Sequence, residues 1–238
     1  MSSSHPLTYP VGVTIGALAV CTAWAPFATA SQAAVLATVA LVILGYTAFQ
    51  LGRARGALAA GVPVPSNAVV KRVRQEHRLL SRSWLELAVS AASSISPQPS
   101  PAPSAAGSGK STDTYWLPVY FDPALLSWTE GTAMVGDHLI RVGDLRVYPS
   151  GRARTAEPPG RLIDNPSRID PESATLAVTS TRLARRLVLD AQSAVAAPFA
   201  ALLWVYLDDG GLPAFTGAFC VAFAAALWLS AIRGSDPS

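Results

Sequence analysis

Four apolar stretches, Pro10 to Ala30, Ala33 to Leu51, Ala191 to Leu207 and Leu212 to Ile232, contain no Asp, Glu, Lys or Arg. Nothing else in the chain constrains its fold as much. Each stretch is about long enough to cross ~30 Å of hydrocarbon. Backbone N–H and C=O groups find no water there, so each run has to satisfy its own hydrogen bonds and is predicted to be a helix. Ser31-Gln32 joins the first two runs and Asp208-Asp209-Gly210-Gly211 the last two. The expected fold is therefore two transmembrane hairpins, residues 1–52 and 191–238, around one polar middle. The third run is the shortest and holds Pro198, which removes a helical hydrogen bond and should bend it.

Charge placement sets the expected orientation. Of the 18 Lys and Arg, 17 lie between Arg53 and Arg186. The positive-inside bias then places the middle segment and both termini in the cytoplasm of a bacterial plasma membrane, with Ser31-Gln32 and the acidic Asp208-Asp209 connection outside. Ala28-Thr29-Ala30 resembles a signal-peptidase site, but a leader without Lys or Arg and a long apolar run favour a retained span.

Within the spans, Gly12 and Gly16 form a GxxxG pattern and are candidate helix-packing residues, within the chain or against a membrane partner or second copy. The four runs hold no ionisable group of the kind a pump or channel places at mid-membrane. Asp190, at the entrance of the third run, is expected to be solvated or paired with Arg182 or Arg186. Cys21 and Cys220 lie in apolar runs and read as small apolar side chains.

Residues 53–186 carry 17 basic and 11 acidic side chains, a formal charge of +6. Their first part, 53–89, reads as a basic juxtamembrane segment. Asn67 can cap a helix to about Ser83, with Val69, Val73, His77, Leu80 and Trp84 at three- and four-residue steps. Its cations, Arg72, Arg78 and Arg82 among them, suit an anionic membrane surface or a partner; a solvated cationic face is the alternative. Trp84 to Val89 could instead form a strand, which would shorten the helix. Residues 90–111 are rich in Ser, Pro, Ala and Gly and are expected to be a disordered linker. The Gly107-Ser108-Gly109-Lys110-Ser111 stretch in it lacks the strand and first glycine of a phosphate-binding loop.

Residues 112–169 turn to strands and turns. Tyr115 to Phe121, Ala133 to Val135, Leu139 to Arg141, Leu145 to Tyr148, Arg152 to Ala156 and Arg161 to Ile163 give five or six short strands, and a small OB- or SH3-like barrel would protect their edges. Arg152, Arg154 and Arg161 join the candidate lipid- or partner-contact set. Asp170-Pro171-Glu172 then starts a connecting helix, 170–190, through Leu176, Leu183 and Leu187 toward the third span.

Catalytic chemistry has little support. Asp122, Asp137, Asp144, Glu157 and Asp164 occupy turn-like positions, and His5, His77 and His138 lack metal-ligand spacing. No catalytic, cofactor or metal residue is assigned, and nucleic acid is the weakest candidate partner. Two Lys against 16 Arg, Ser81-Arg82-Ser83-Trp84-Leu85-Glu86, Trp116-Leu117-Pro118-Val119-Tyr120-Phe121-Asp122-Pro123 and Tyr148-Pro149-Ser150-Gly151-Arg152 together resemble uncharacterised actinobacterial four-helix integral membrane proteins. A looser likeness is to the NfeD-like membrane proteins, whose small OB-type barrel implies a scaffolding partner in the same membrane; here the barrel falls between hairpins. The expected function is a non-enzymatic membrane protein whose cytoplasmic β-module docks a protein partner or anionic lipid. An accessory subunit of an envelope transport or assembly complex, or an enzyme acting on lipid or cell-wall precursors, are the alternatives.

Overall fold

The computed structural model describes residues 5–59, 61, 68–90, 112–128, 130–135, 140–165 and 172–238. Four helical segments, Thr8–Phe27, Ala30–Ala54, Leu183–Asp208 and Gly211–Ile232, are long and apolar enough to cross a membrane. They comprise α1 (Thr8–Trp24) and α2 (Ala30–Ala54), then, after the short α3 (Ser173–Ser180), α4 (Leu183–Ala191), α5 (Ala197–Asp208) and α6 (Gly211–Ile232). Helix α6 is the centre of the bundle and packs on α1, α2, α4 and α5. Ala17 and Cys21 of α1, Ile43 of α2, and Ala224, Trp228 and Ile232 of α6 form the bundle core. Small Ala and Cys side chains let these backbones approach, because dispersion between well-packed surfaces is what holds helices together in lipid. Trp228 cannot leave its N–H unpaired there, and its Nε1 donates to Thr47 Oγ1 at 2.9 Å.

The first turn is shifted from its expected place. Ser31 and Gln32 do not form the connection; they sit in the first turn of α2. Thr29 is the N-cap, its hydroxyl accepting from Gln32 N–H while Gln32 Oε1 accepts from Thr29 N–H at 3.0 Å. This reciprocal pair satisfies two orphan backbone donors at once. The helical segment that holds the third apolar run begins ahead of it, at Leu183. The connecting helix breaks at Arg182, whose backbone is extended, so α3 is separate from the span. Pro198 near the start of α5 follows a 3-10 stretch at Gln192–Ala196, where the span changes pitch.

The β-module is a curled antiparallel sheet of half-barrel form. Its strands are β1 (Ala68–His77), β2 (Leu80–Ser90), β3 (Thr112–Val119), β4 (Glu130–Val135), β5 (Ile140–Val142), β6 (Leu145–Val147) and β7 (Arg161–Asp164). Six run in the order β3-β2-β1-β4-β5-β6, and β7 adds to β1. One edge of β1 pairs along its length with β2; the other is shared, Ala68–Lys71 pairing with β4 and Val73–Glu76 with β7. Val70, Leu85, Leu87, Leu117 and Val119 fill the inside of the curl, while Val73, Trp84, Trp116 and Leu162 cover the opposite face.

The basic helix expected over 67–83 is not formed; among the described residues 68–77 and 80–83 are strands. Val69, Val73 and His77 are four apart, a spacing that shares one face of a helix and equally one face of a strand. Three β-branched valines and the Trp84–Val73 cross-strand pair favour the sheet. A two-residue turn joins the strands, with Arg78 at φ +55°, a conformation costly for a residue with a Cβ. Arg152 to Ala156, expected as a return strand, makes one bridge, Arg154 to Trp116. Pro149 before it and Pro158 and Pro159 after it have no N–H with which to lengthen the pairing. The segment after β6 nevertheless follows the free edge of β3, with Tyr120 N–H donating to Tyr148 O at 2.9 Å and Ser150 N–H to Pro118 O at 2.9 Å. The linker expected to be disordered, and Asn67, Lys110, Asp137, His138 and Asp170, lie outside the described residues, apart from Ser90, which pairs with Thr112.

Candidate functional site: a charged junction between sheet and bundle

After α6 the chain turns back onto the sheet. Gly234 takes φ +79°, and a Cβ there would meet Ser150 at 2.8 Å and the Val119 carbonyl at 3.3 Å, so the approach requires glycine on both counts. Ser235 then bridges Arg82, and Asp236 N–H donates to Ser81 O at 2.9 Å, extending the β2 edge. This places Asp236 beneath the sheet, where its side chain is fully buried.

Arg72 meets it. Arg72 Nη2 lies 2.7 Å from Asp236 Oδ2, and the two side chains are 2% and 0% exposed. Ser83 Oγ donates to the same oxygen at 2.5 Å, while Ser238 N–H and Oγ–H donate to Oδ1 at 2.9 and 2.7 Å. Burial alone pushes the Asp236 carboxyl up, but the Arg72 guanidinium and the Ser83 and Ser238 donors outweigh it and hold it below the usual carboxylate value. Arg72 also donates through Nη1 to Asn165 Oδ1 at 2.7 Å, and Asn165 Nδ2 donates to the Leu125 and Trp128 carbonyls. One ion pair thereby ties β1, β2, the 3-10 turn at Pro123–Leu126 and the tail of the last span.

Two further contacts fasten the sheet to the helices. Tyr120 O–H donates to Ile232 O at 2.8 Å, capping an orphan carbonyl at the end of α6. Burial, helped by Tyr46 and opposed by Arg53, raises the Tyr120 hydroxyl well above its usual value, so it stays a neutral donor. Gln50 Nε2 in α2 donates to Ser150 O at 3.2 Å, and Arg53 Nη1 donates back to Gln50 Oε1 at 3.2 Å. Leu7, Ala54 and Tyr120 are buried together between these bonds.

A second polar cluster lies inside the bundle at this same end. Asp190, expected at a solvated entrance or paired with arginine, is 2% exposed. It accepts from Tyr9 O–H and, at 2.7 Å, from Ser230 O–H. Arg186 forms no ion pair with it and instead lies over the Tyr9 ring, 3.8 Å from the centroid. Ser193 O–H closes the cluster on the Asp190 and Ala226 carbonyls.

The remaining candidate residues are on the outside. Arg78 is exposed at the β1–β2 turn, Arg152 and Arg161 are exposed on the module, and Arg154 lies over Trp84 at 5.5 Å. Arg82 is half-buried, and burial followed by the charges of Arg233 and Arg154 lowers its guanidinium below the usual arginine value, with Tyr46 opposing. Arg82 bridges Ser235 through its backbone, beside Arg233, and none of Arg82, Arg154 and Arg233 has a carboxylate within ion-pair distance among the described residues. Arg72 does not belong to this surface set, because it is internal and neutralised by Asp236. Gly12 and Gly16 are on an open face of α1, where an added Cβ would meet nothing within 4 Å.

Sequence reasoning assigned no role to Arg233 or Asp236, which hydropathy treats as the leftover of the last span, and none to Tyr9. Their only signals were a Gly-Ser-Asp-Pro turn composition after Arg233 and a tyrosine at the mouth of a span. Among the described residues no group of three or more His, Cys, Asp and Glu is placed to hold a metal ion. Comparison with protein-family models, with curated proteins and with solved structures finds no match for this chain.

Proposed function

We propose that this chain is a non-enzymatic integral membrane protein of a bacterial plasma membrane, with its β-module fixed on the cytoplasmic side to engage anionic lipid headgroups. The observation that carries this reading is the placing of three cations in one region: Arg82 bridges Ser235, two residues after Arg233, and Arg154 lies over Trp84, which shares a face of β2 with Arg82. Arg233 directly follows the last apolar helix, which on this reading sets it, and Arg82 beside the same tail, near the headgroup level. The repulsion that Arg233 and Arg154 exert on Arg82 is opposed by no described carboxylate, and an anionic headgroup would relieve it, at about 1 kcal/mol per cation near such a surface. The buried Arg72–Asp236 pair matters here because it prevents the sheet from swinging this face away from the bilayer.

Reconstitution into nanodiscs tests it. The melting temperature should be higher in phosphatidylglycerol than in phosphatidylcholine, and the difference should shrink when Arg82, Arg154 and Arg233 are all replaced by Gln, an undiminished difference counting against this surface. Equal stability of the native chain in both lipids would refute headgroup engagement. The Tyr9–Asp190–Ser230 cluster favours a second reading, catalysis on a lipid-linked substrate at the membrane surface. Turnover of such a substrate that Asp190→Asn abolishes without unfolding the protein would establish it.

A further inference from the structure

A cavity of about 770 Å³ opens between α1, α4 and α6 at the module end of the bundle, a volume within the ~300–1,000 Å³ usual for ligand sites. It follows α1 from Thr8 to Val20, which at 1.5 Å per residue is about 18 Å. That is close to one leaflet of a ~30 Å hydrocarbon core. Its deep part is apolar, with Ala17 and Val20 on one wall and Phe219 and Phe223 on the other. Gly12 and Gly16 form its floor, since neither backs onto another helix.

The shallow end is different. Arg186 sits there with Tyr9, Thr181 and His5. The Arg186 Nε is buried and has no hydrogen-bond partner. The carboxylates that act on its charge, Asp190 and Asp236, are engaged elsewhere, the first by Tyr9 and Ser230 and the second by Arg72 and Ser83. A cation over an aromatic ring at the mouth of a leaflet-long apolar groove has the polarity sequence of one phospholipid molecule, anionic head first and acyl chain behind.

We propose that this groove holds one anionic glycerophospholipid, its phosphate on Arg186 and one acyl chain along Gly12, Gly16 and Val20. The site is separate from the Arg82–Arg154–Arg233 surface and does not depend on it. A guanidinium suits the role because its several N–H donors can chelate phosphate oxygens. The apolar wall explains why the occupant is a lipid and not a free phosphate.

Native mass spectrometry of the full chain, released from mild detergent with equimolar phosphatidylglycerol and phosphatidylcholine, tests the proposal. One phosphatidylglycerol should stay bound, preferred roughly fivefold or more, the order expected for one cation at an anionic head. Arg186→Gln should erase that preference and Arg186→Lys should keep most of it. Gly12→Leu and Gly16→Leu, which retain the cation but fill the floor, should lose the bound lipid of either kind. Equal retention of the two lipids by the native chain would overturn the proposal, as would undiminished phosphatidylglycerol binding in Gly16→Leu. The Arg82, Arg154 and Arg233 triple variant should keep its single bound phosphatidylglycerol, so failure of the headgroup surface and failure of the groove are distinguishable.

Discussion

The two ends of the helix bundle are built from different chemistry. At the far end the hairpin turns are held by a Thr29–Gln32 capping box and by Gln32 Nε2 donating to Asp208. Asp209 there turns the chain at φ +50°, and a crevice of about 460 Å³ between Trp24, Phe27, Trp204 and Pro213 has no charged residue in its wall. At the module end Arg72–Asp236, Tyr120–Ile232 and Gln50–Ser150 join the module to the helices and the chain that follows them, and Tyr9–Asp190 joins α1 to α4. The difference teaches where specificity lies. Apolar spans in lipid gain little from choosing one neighbour over another, and polar bonds that would be left unsatisfied elsewhere are what select one arrangement.

Removing one partner of the buried ion pair should separate the ends most strongly. Asp236→Ala leaves Arg72 charged in a site with no solvent, and is expected to destabilise the module by about 3–5 kcal/mol, read by denaturant or thermal melting in detergent. An effect no larger than that of a surface substitution would mean that the tail is not part of the folded junction. The same pair predicts a pH response. The Asp236 carboxyl is depressed in the folded chain, so its contribution is fully present above the ordinary value of 3.8 and is lost as pH falls through the lower folded value. Acid melting should therefore be less steep in Asp236→Asn than in the native chain, although that variant starts from lower stability.

Smaller effects should follow the same division. Tyr120→Phe leaves the Ile232 carbonyl without its donor and should cost about 1–3 kcal/mol, the range for a buried group left unpaired. At the far end Thr29→Ala removes one helix cap and should cost about 1 kcal/mol. Hydrogen exchange can separate the two: the Tyr120 change should raise exchange at the sheet junction, and the Thr29 change only in the first turn of α2. A Thr29 effect as large as that of Asp236 would erase the contrast between the ends.

The spans were readable because charge-free runs of that length have few other uses, and the valine- and aromatic-rich strands because their side chains suit a pleat. Other features were visible but ambiguous. Val69, Val73 and His77 fit a helix and a strand equally, and only pairing with β2 and β7 decides between them. Thr29-Ala30-Ser31-Gln32 carries the signature of a capping box, yet the apolar run through it hid the boundary. Of the proposed contact residues, Arg78, Arg152, Arg154 and Arg161 are exposed, whereas Arg72 is internal, because its partner Asp236 is 164 positions away and no local pattern announces it. The groove beside Gly12 and Gly16 was equally hidden. GxxxG reports small side chains, but whether another helix or open space faces them is a tertiary fact.

The proposed orientation, with the basic module end in the cytoplasm and the acidic far end outside, is tested most directly by reporter fusions at one site on each end. Charge placement predicts that a reporter active only in an oxidising exterior stays silent when inserted at Lys110, in the connection between β2 and β3, and is active at Gly210, between α5 and α6. An active reporter at Lys110 with a silent one at Gly210 would contradict the account.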